Sequence, residues 1–365
     1  MIRHYRSAPA SPGDRGHDFG AAHPAAVAAT ADKYARLFAA VAGRPVDMLA
    51  AGREALAAIR RFSVPYASEI EGIAAGAGLA AETVAALNAR TEILARLVAP
   101  RPSECSTAVL LGEPGGTPVA LQTWDWHDEF AGSWLIWTVE HPGGHVVHTL
   151  TEYGILGKIG VSSAGLGLNL NILHHGDDGG RLEVPVHVLA RAVLDAPGGV
   201  GEALATIGAA GVSASSALTV TSATGGEPVA LTAEVFPGGP RFVLPGPDGV
   251  LVHTNHFLDP HAAQHERANQ LGPNSYLRYA VLRRRLAGRA GDGCADVLAA
   301  MHTHAGGSGA ICCHPDPAAT LGSRYATLAT VSLDVTRGAM SVLTGGPCSP
   351  GGGTAWWTTP GGARG

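Results

Sequence analysis

The sequence predicts an α+β fold in which antiparallel sheets stack on one another with helices outside. Three observations predict it. Roughly the first hundred residues carry helical periodicity. From Cys105 onward, short apolar or β-branched runs are separated by turn residues. Strands and helices also come in blocks, without strict β-α alternation. At 365 residues, 46% hydrophobic and only 15% charged, the chain can bury a full core.

Residues 1–24, rich in His, Pro, Gly and Arg, read as a flexible arm. Residues 25–60 are Ala-rich, with Leu37, Phe38, Val41, Met48, Leu49 and Leu56 mostly at helical spacing. Residues 65–79 read as a short helix closed by glycines. A further helix over 81–98 aligns Val84, Leu87, Leu94 and Val98, and Pro100 and Pro102 stop it. The periodicity changes at Cys105. Strands are expected at 106–111 and 117–124, at 133–140 and 145–151, and at 155–161 and 166–173, each pair joined by a Gly-containing turn. Helices follow at 185–196 and 200–209, then strands at 215–222, 228–235 and 249–254. Helices at 274–288 and 293–302 precede a final hairpin, 324–335 with 338–344. The expected organisation is an arm (1–24), a helical segment (25–104) and a larger portion packing as one domain (105–365).

Bulk properties exclude several function classes. The formal net charge is −5 and no basic stripe appears, so nucleic acid is not an expected partner. The one basic run, Arg278 to Arg289, reads as the solvated face of an amphipathic helix. Five cysteines, sparse and odd in number, make no disulfide framework, which points to a reducing, cytoplasmic location. No stretch has the apolar core of a secretory signal or a membrane span, so no membrane is expected. No cofactor is expected.

Cys105 opens a strand directly after a Pro-containing linker. Were the Glu104–Cys105 bond cut, this residue would carry a nucleophile and its own base. A free α-amine has a pKa of roughly 8, so near neutrality it accepts a proton far more readily than lysine. Three other clusters carry polar residues at strand ends. Gln122-Thr123-Trp124-Asp125-Trp126 returns beside Cys105 across a hairpin, where Asp125 can hold the new ammonium; the alternative is a surface turn over packed tryptophans. Asn169 and Asn171 share one strand face and can donate to an oxyanion, or else line a solvated edge. His253-Thr254-Asn255-His256-Phe257 ends a strand in a second amide. His253 and His256 lack a surrounding ligand set, so no metal is expected. Cys312-Cys313 reads as a buried structural pair, and Cys294 and Cys348 as packing or loop cysteines.

Taken in order, these clusters resemble the acyl-coenzyme A:6-aminopenicillanate acyltransferase family. The likeness runs from about residue 60 to about 350. It rests on Glu69-Ile70-Glu71-Gly72 and Leu87-Asn88-Ala89-Arg90-Thr91-Glu92, Cys105-Ser106, Gln122-Thr123-Trp124-Asp125-Trp126, Gly165-Leu166 leading to Asn171, His253-Thr254-Asn255-His256-Phe257, and Gly345-Gly346-Pro347-Cys348. The resemblance implies an N-terminal-nucleophile hydrolase: a four-layer αββα sandwich, made as a precursor and cut between Glu104 and Cys105. It implies Cys105 as nucleophile with its α-amine as base, Asp125 holding the amine, Asn255 as main oxyanion donor and Asn171 as helper. Gln122 and Trp124 are expected to touch substrate. Gln122 stands where many bile-salt hydrolases have arginine, Ser106 where threonine is usual, and Glu104 where glycine or aspartate is common.

The function expected is a self-cleaving cysteine amidohydrolase acting on an N-acylated small molecule through an acyl-cysteine. The alternative is an acyl-coenzyme A-dependent N-acyltransferase. Contrasting classes are a binding protein in which Cys105 is an ordinary strand cysteine, and a histidine-ligated metalloenzyme. Expected partners are an amide or thioester substrate and the chain's own cleaved N-terminal segment. A homo-oligomer is compatible with the sequence.

Overall fold

The computed structural model describes residues 2–97, 105–289, 291, 293–349 and 356–361. A short strand and six helices come first: β1 (His4–Ser7), α1 (Pro12–Ala22), α2 (Pro24–Ala42), α3 (Met48–Phe62), α4 (Val64–Ala77), α5 (Ala81–Asn88) and α6 (Arg90–Arg96). Then come β2 (Ser106–Leu110), β3 (Val119–His127), β4 (Trp134–Glu140), β5 (Val146–Glu152), β6 (Ile159–Ser162) and β7 (Leu166–Ile172). They are followed by α7 (Val186–Leu194), α8 (Val200–Ala209), β8 (Ser216–Ser222), β9 (Val229–Val235), β10 (Arg241–Val243) and β11 (Val250–His253). The chain continues through α9 (Ala268–Leu271), α10 (Asn274–Leu286), α11 (Cys294–Met301), β12 (Tyr325–Asp334), β13 (Ala339–Thr344) and β14 (Trp357–Thr358).

Two sheets form among the described residues. One runs β1-β4-β5-β6-β7-β8-β9-β10, the other β11-β2-β3-β12-β13-β14. Only β1, parallel to β4, departs from antiparallel pairing. The sheets pack face to face through β2 on β7 and through β12 and β13 on β6. α7 and α8 cover the larger sheet, and α10 and α11 cover the smaller. This is the expected α+β sandwich with helices outside.

Layering explains why the strands lack clean alternation. On β2, Val109 joins the core between the sheets, whereas Ala108 and Leu110 join Leu282, Leu286, Val297 and Met301 under α10 and α11. Both faces are buried, so both are apolar.

Residues 1–24 were expected to be a loose arm, and the structure corrects this. Residues 4–7 pair with β4, and α1 packs along α4. Glycine makes that packing possible. A Cβ at Gly16 would lie 2.1 Å from the Glu69 carbonyl oxygen, and one at Gly76 would lie 2.1 Å from that of His17. Side chains on either helix would force the backbones apart. The glycines that suggested looseness are contact surface. Gly78, in the left-handed region at φ 68°, is the one that ends α4.

Buried charge ties the helical segment to the sandwich. Glu69 on α4 accepts from Arg15 Nε (3.0 Å) and Nη2 (2.5 Å), and from Arg191 Nη1 of α7 (3.3 Å). All three side chains are almost wholly buried. Glu69→Ala leaves two buried guanidinium groups without this carboxylate. We expect a loss of about 3–5 kcal/mol, read from urea unfolding.

Glu92 on α6 is fully buried. Its Oε1 accepts from Val186 N (2.9 Å), while Oε2 has no hydrogen-bond partner among the described residues. Burial pushes its pKa up from 4.5 to about 7, against the opposing Val186 N–H. Between those values the folded protein keeps a proton that the unfolded chain has lost. Stability therefore falls as pH rises from about 4.5 to 7, by about 3 kcal/mol. Glu92→Gln is expected to raise the melting temperature at pH 8 and to leave it nearly unchanged at pH 4.5.

Candidate active site

Strand register brings the polar strand ends together. Ser106 pairs with Thr123, so Cys105, one residue before β2, lies beside Trp124 and Asp125 at the end of β3. The thiol is buried and donates weakly to the Asp125 carbonyl oxygen at 3.8 Å. On the other side of β2, His253 pairs with Thr107, so the chain leaving β11 carries Asn255 past the start of β2. From the facing sheet, Asn171 Oδ1 accepts from Thr107 Oγ1 at 2.7 Å. Cys105, Asp125, Asn171 and Asn255 thus gather around one strand end. Glu104, the other half of the expected cleavage junction, lies outside the described residues.

Arg278 binds this group together, and the sequence reading missed it. It was read as part of a solvated basic face. In the structure it is buried on the inward stripe of α10 with Ser275, Leu282 and Leu286. Nη1 donates to the Cys105 carbonyl (2.8 Å) and to Ser106 Oγ (2.9 Å); Nη2 donates to Asn255 Oδ1 (3.0 Å). Ser275 Oγ accepts from Asn255 N at 2.8 Å. With its oxygen held by Arg278, Asn255 presents its NH2 end as donor, and Nδ2 reaches Ile172 O at 2.8 Å. One signal was available: Arg278 sits four and eight residues before Leu282 and Leu286, on their helical face.

The electrostatics around Cys105 keep its thiol protonated in the continuous chain. Burial, then the Asp125 carboxylate, pushes the pKa up to about 12, against the pull of Arg278 and Lys158. Lys158 stands 3.9 Å over the Trp124 ring and pairs with Glu152. Burial brings its pKa down to about 7, although Glu152 acts the other way. Glu152 also accepts from Tyr34 OH (2.5 Å) and pairs with Arg90 (3.2 Å), whose guanidinium lies 4.0 Å over Trp126. Tyr34 and Arg90 come from α2 and α6. The helical segment therefore supplies two of the partners of Glu152, which in turn pairs with Lys158.

Asn169 and Asn171 are fully buried, which rules out the solvated edge. Both polar ends of the Asn169 amide, and Asn171 Nδ2, lack a hydrogen-bond partner among the described residues. Such groups are costly to bury.

Two other expectations change, at Gln122 and at Cys348. Gln122 was expected to touch substrate. Instead Nε2 donates to Leu170 O (2.5 Å) and Oε1 accepts from Leu170 N (3.0 Å), so the amide clamps the two sheets together. His253 and His256 do not converge. His253 Nε2 meets Glu234 at 2.9 Å, and His256 Nδ1 meets Ser275 Oγ at 2.8 Å. Cys348, read as a loop cysteine, has histidine neighbours, considered below. Trp124, the other expected substrate contact, is 2% exposed and carries Lys158 on its face.

Comparisons with known proteins bear on this arrangement. A family model described as acyl-coenzyme A:6-aminopenicillanic acid acyl-transferase matches residues 112–347, a span that holds Asp125, Asn171, Asn255 and Arg278 and begins after Cys105. The acyl-coenzyme A:6-aminopenicillanic-acid-acyltransferase 40 kDa form of Emericella nidulans is 33% identical over 224 residues, 61% of this chain. The match spans 60% of that relative's length. Among solved structures, penicillin V acylase from Agrobacterium tumefaciens aligns at 16% identity with a TM-score of 0.47, covering 70% of this chain and 86% of that one. A Caenorhabditis elegans N-acylethanolamine-hydrolyzing acid amidase ortholog aligns at 12% identity with a TM-score of 0.42, covering 63% and 93%.

Proposed function

We propose, from the premise that this chain belongs to the acyl-coenzyme A:6-aminopenicillanic acid acyl-transferase family, that it is a cysteine amidohydrolase activated by cleavage of its own chain before Cys105. The observation that carries the reading is Arg278, which holds the Cys105 carbonyl and the Asn255 side chain on one buried guanidinium. Nucleophile and amide donor are thereby set against each other by a rigid fork.

In the precursor, Cys105 sulfur, once deprotonated, attacks the Glu104 carbonyl carbon. The peptide nitrogen leaves with a proton, and the acyl group passes from nitrogen to sulfur. Water then hydrolyses the thioester, releasing the Glu104 carboxylate and regenerating the thiol. Cys105 is left with a free α-amine. Before this cut, burial and the Asp125 carboxylate hold the thiol up at about 12. Afterwards the amine takes the thiol proton, and Asp125 holds the resulting ammonium beside the sulfur.

In turnover, the sulfur attacks the carbonyl carbon of a substrate amide. The Asn255 NH2 stabilises the oxyanion, and Asn171 Nδ2, buried nearby without a partner among the described residues, assists. The ammonium returns its proton to the departing amine, leaving an acyl-cysteine. Water, giving a proton back to the α-amine, then releases the carboxylic acid. The helical segment stays docked through Glu69–Arg191 and through Tyr34 and Arg90 on Glu152.

A second reading is favoured by the name of the Emericella relative: an acyl thioester supplies the acyl group and an amine, in place of water, accepts it. Two assays separate them. N-acyl amino acids, N-acyl amines and β-lactams are screened for released acid; a labelled acyl thioester is offered with a panel of amines. Acid release without amine dependence supports hydrolysis. Amide product from the thioester supports acyl transfer. Silence in both overturns the proposal.

A further inference from the structure

Four metal-binding side chains, three from residues 304–314 and one from the turn after β13, lie near one end of the smaller sheet. His304, Cys312 and Cys348 each direct one donor atom to a common place, all within 4.8 Å of one another. His314 lies against two of them: its Nε2 is 3.1 Å from His304 Nε2 and 3.2 Å from Cys348 Sγ. The two imidazoles stack at 5.2 Å, nearly parallel at 19°. Both thiols are free.

We infer that His304, Cys312, His314 and Cys348 form a Cys2His2 site for one zinc ion. A tetrahedral zinc with ordinary Zn–S and Zn–N bonds sets its donors roughly 3.3–3.8 Å apart. The separations at His314, 3.1 and 3.2 Å, approach that range. Donor chemistry selects the ion: two thiolates and two imidazoles in a compact cluster suit zinc, and disfavour magnesium or calcium, which want oxygen. Four protein ligands leave no open position, so the role is structural. Binding converts two thiols to thiolates and releases two protons, with no redox change.

The fold supplies a reason for such a clasp. Between α11 and β12 the chain runs through residues 302–324 with one short 3-10 turn, Gly307–Gly309. Connections of this length without regular structure need another source of order. Three ligands lie on that connection, and Cys348 follows β13. Next to Cys312, the Cys313 backbone exchanges hydrogen bonds with Thr327, its N–H meeting Thr327 Oγ1 at 3.0 Å and its carbonyl meeting Thr327 N at 3.0 Å. Thr327 pairs with Asp125. The ion therefore pins the long connection onto the strand that flanks the nucleophile's carboxylate.

Elemental analysis of protein purified without a metal-binding tag or chelator tests this. We expect one zinc per chain, lost in Cys348→Ser and in His314→Ala, with a lower melting temperature in both. If either variant fails to fold, wild-type protein stripped by chelator and loaded with cobalt(II) gives the second reading. A tetrahedral thiolate site then yields intense visible d–d bands and sulfur-to-cobalt charge transfer. Wild-type protein that takes up no zinc at micromolar free metal would overturn the inference. Variants that keep full zinc would do the same, as would an intact mass two hydrogens lighter with Cys312 joined to Cys348.

Discussion

Replacing Cys105 with alanine is expected to give a chain that stays uncut and turns over no N-acyl substrate. Both losses have one cause, because the same sulfur performs the cleavage and the catalysis. The Arg278 contacts fall on the Cys105 carbonyl and on Ser106, which alanine leaves in place. The variant should therefore fold like the precursor. Thiol labelling adds a check on the wild type. In the continuous chain, burial and Asp125 hold this thiol near 12, so iodoacetamide should label it slowly at neutral pH. Cleaved protein should label at this residue far faster, since the α-amine then takes the proton. Equal labelling of the two forms would remove the amine from the mechanism.

Asn255→Ala is expected to lower kcat by about 10²- to 10³-fold with little change in KM, the effect of losing one oxyanion donor. The substitution also removes the Asn255 contacts with Arg278 Nη2 and Ile172 O, so some stability is lost. Active-site titration with a thiol reagent corrects for any fraction that is not folded. A kcat per titrated thiol within a few-fold of wild type would show that the oxyanion lies elsewhere. Asn171 is then the next candidate, because its NH2 group is buried without a hydrogen-bond partner among the described residues and its Oδ1 is held by Thr107 beside Cys105.

Much of the fold was legible because its elements are local. The hairpins β2–β3, β4–β5, β6–β7, β8–β9 and β12–β13 each bring their strands together across a short turn, and the expected strands fall on them. What escaped was set by distant partners. β1 is four residues long and polar, and it is a strand only because β4 lies beside it. The strand expected to begin at 155 begins at Ile159. Before it, Asn88 holds an irregular stretch from outside, through Gly154 O at 2.8 Å and Leu156 N at 3.0 Å. The helix expected over 81–98 breaks at Ala89, between α5 and α6.

The candidate site divides along the same line. Cys105, Asp125 and Asn255 mark strand ends, so their types and positions were readable one at a time. Asn171 was readable as one of a pair, and its partner choice was not. Arg278 was hidden among the neighbouring arginines of the same helix, since charge counting cannot tell an inward guanidinium from an outward one. His304, His314 and Cys348 showed no paired ligand spacing, because two loops bring them together.

Intact-mass measurement of freshly purified protein under denaturing conditions, with sequencing from the first residue of the larger piece, addresses the central claim most directly. The account predicts two fragments whose masses sum to the full chain plus one water, the larger beginning at Cys105. A fully active preparation that runs as one uncut chain, or a larger fragment that begins at any other residue, would contradict it.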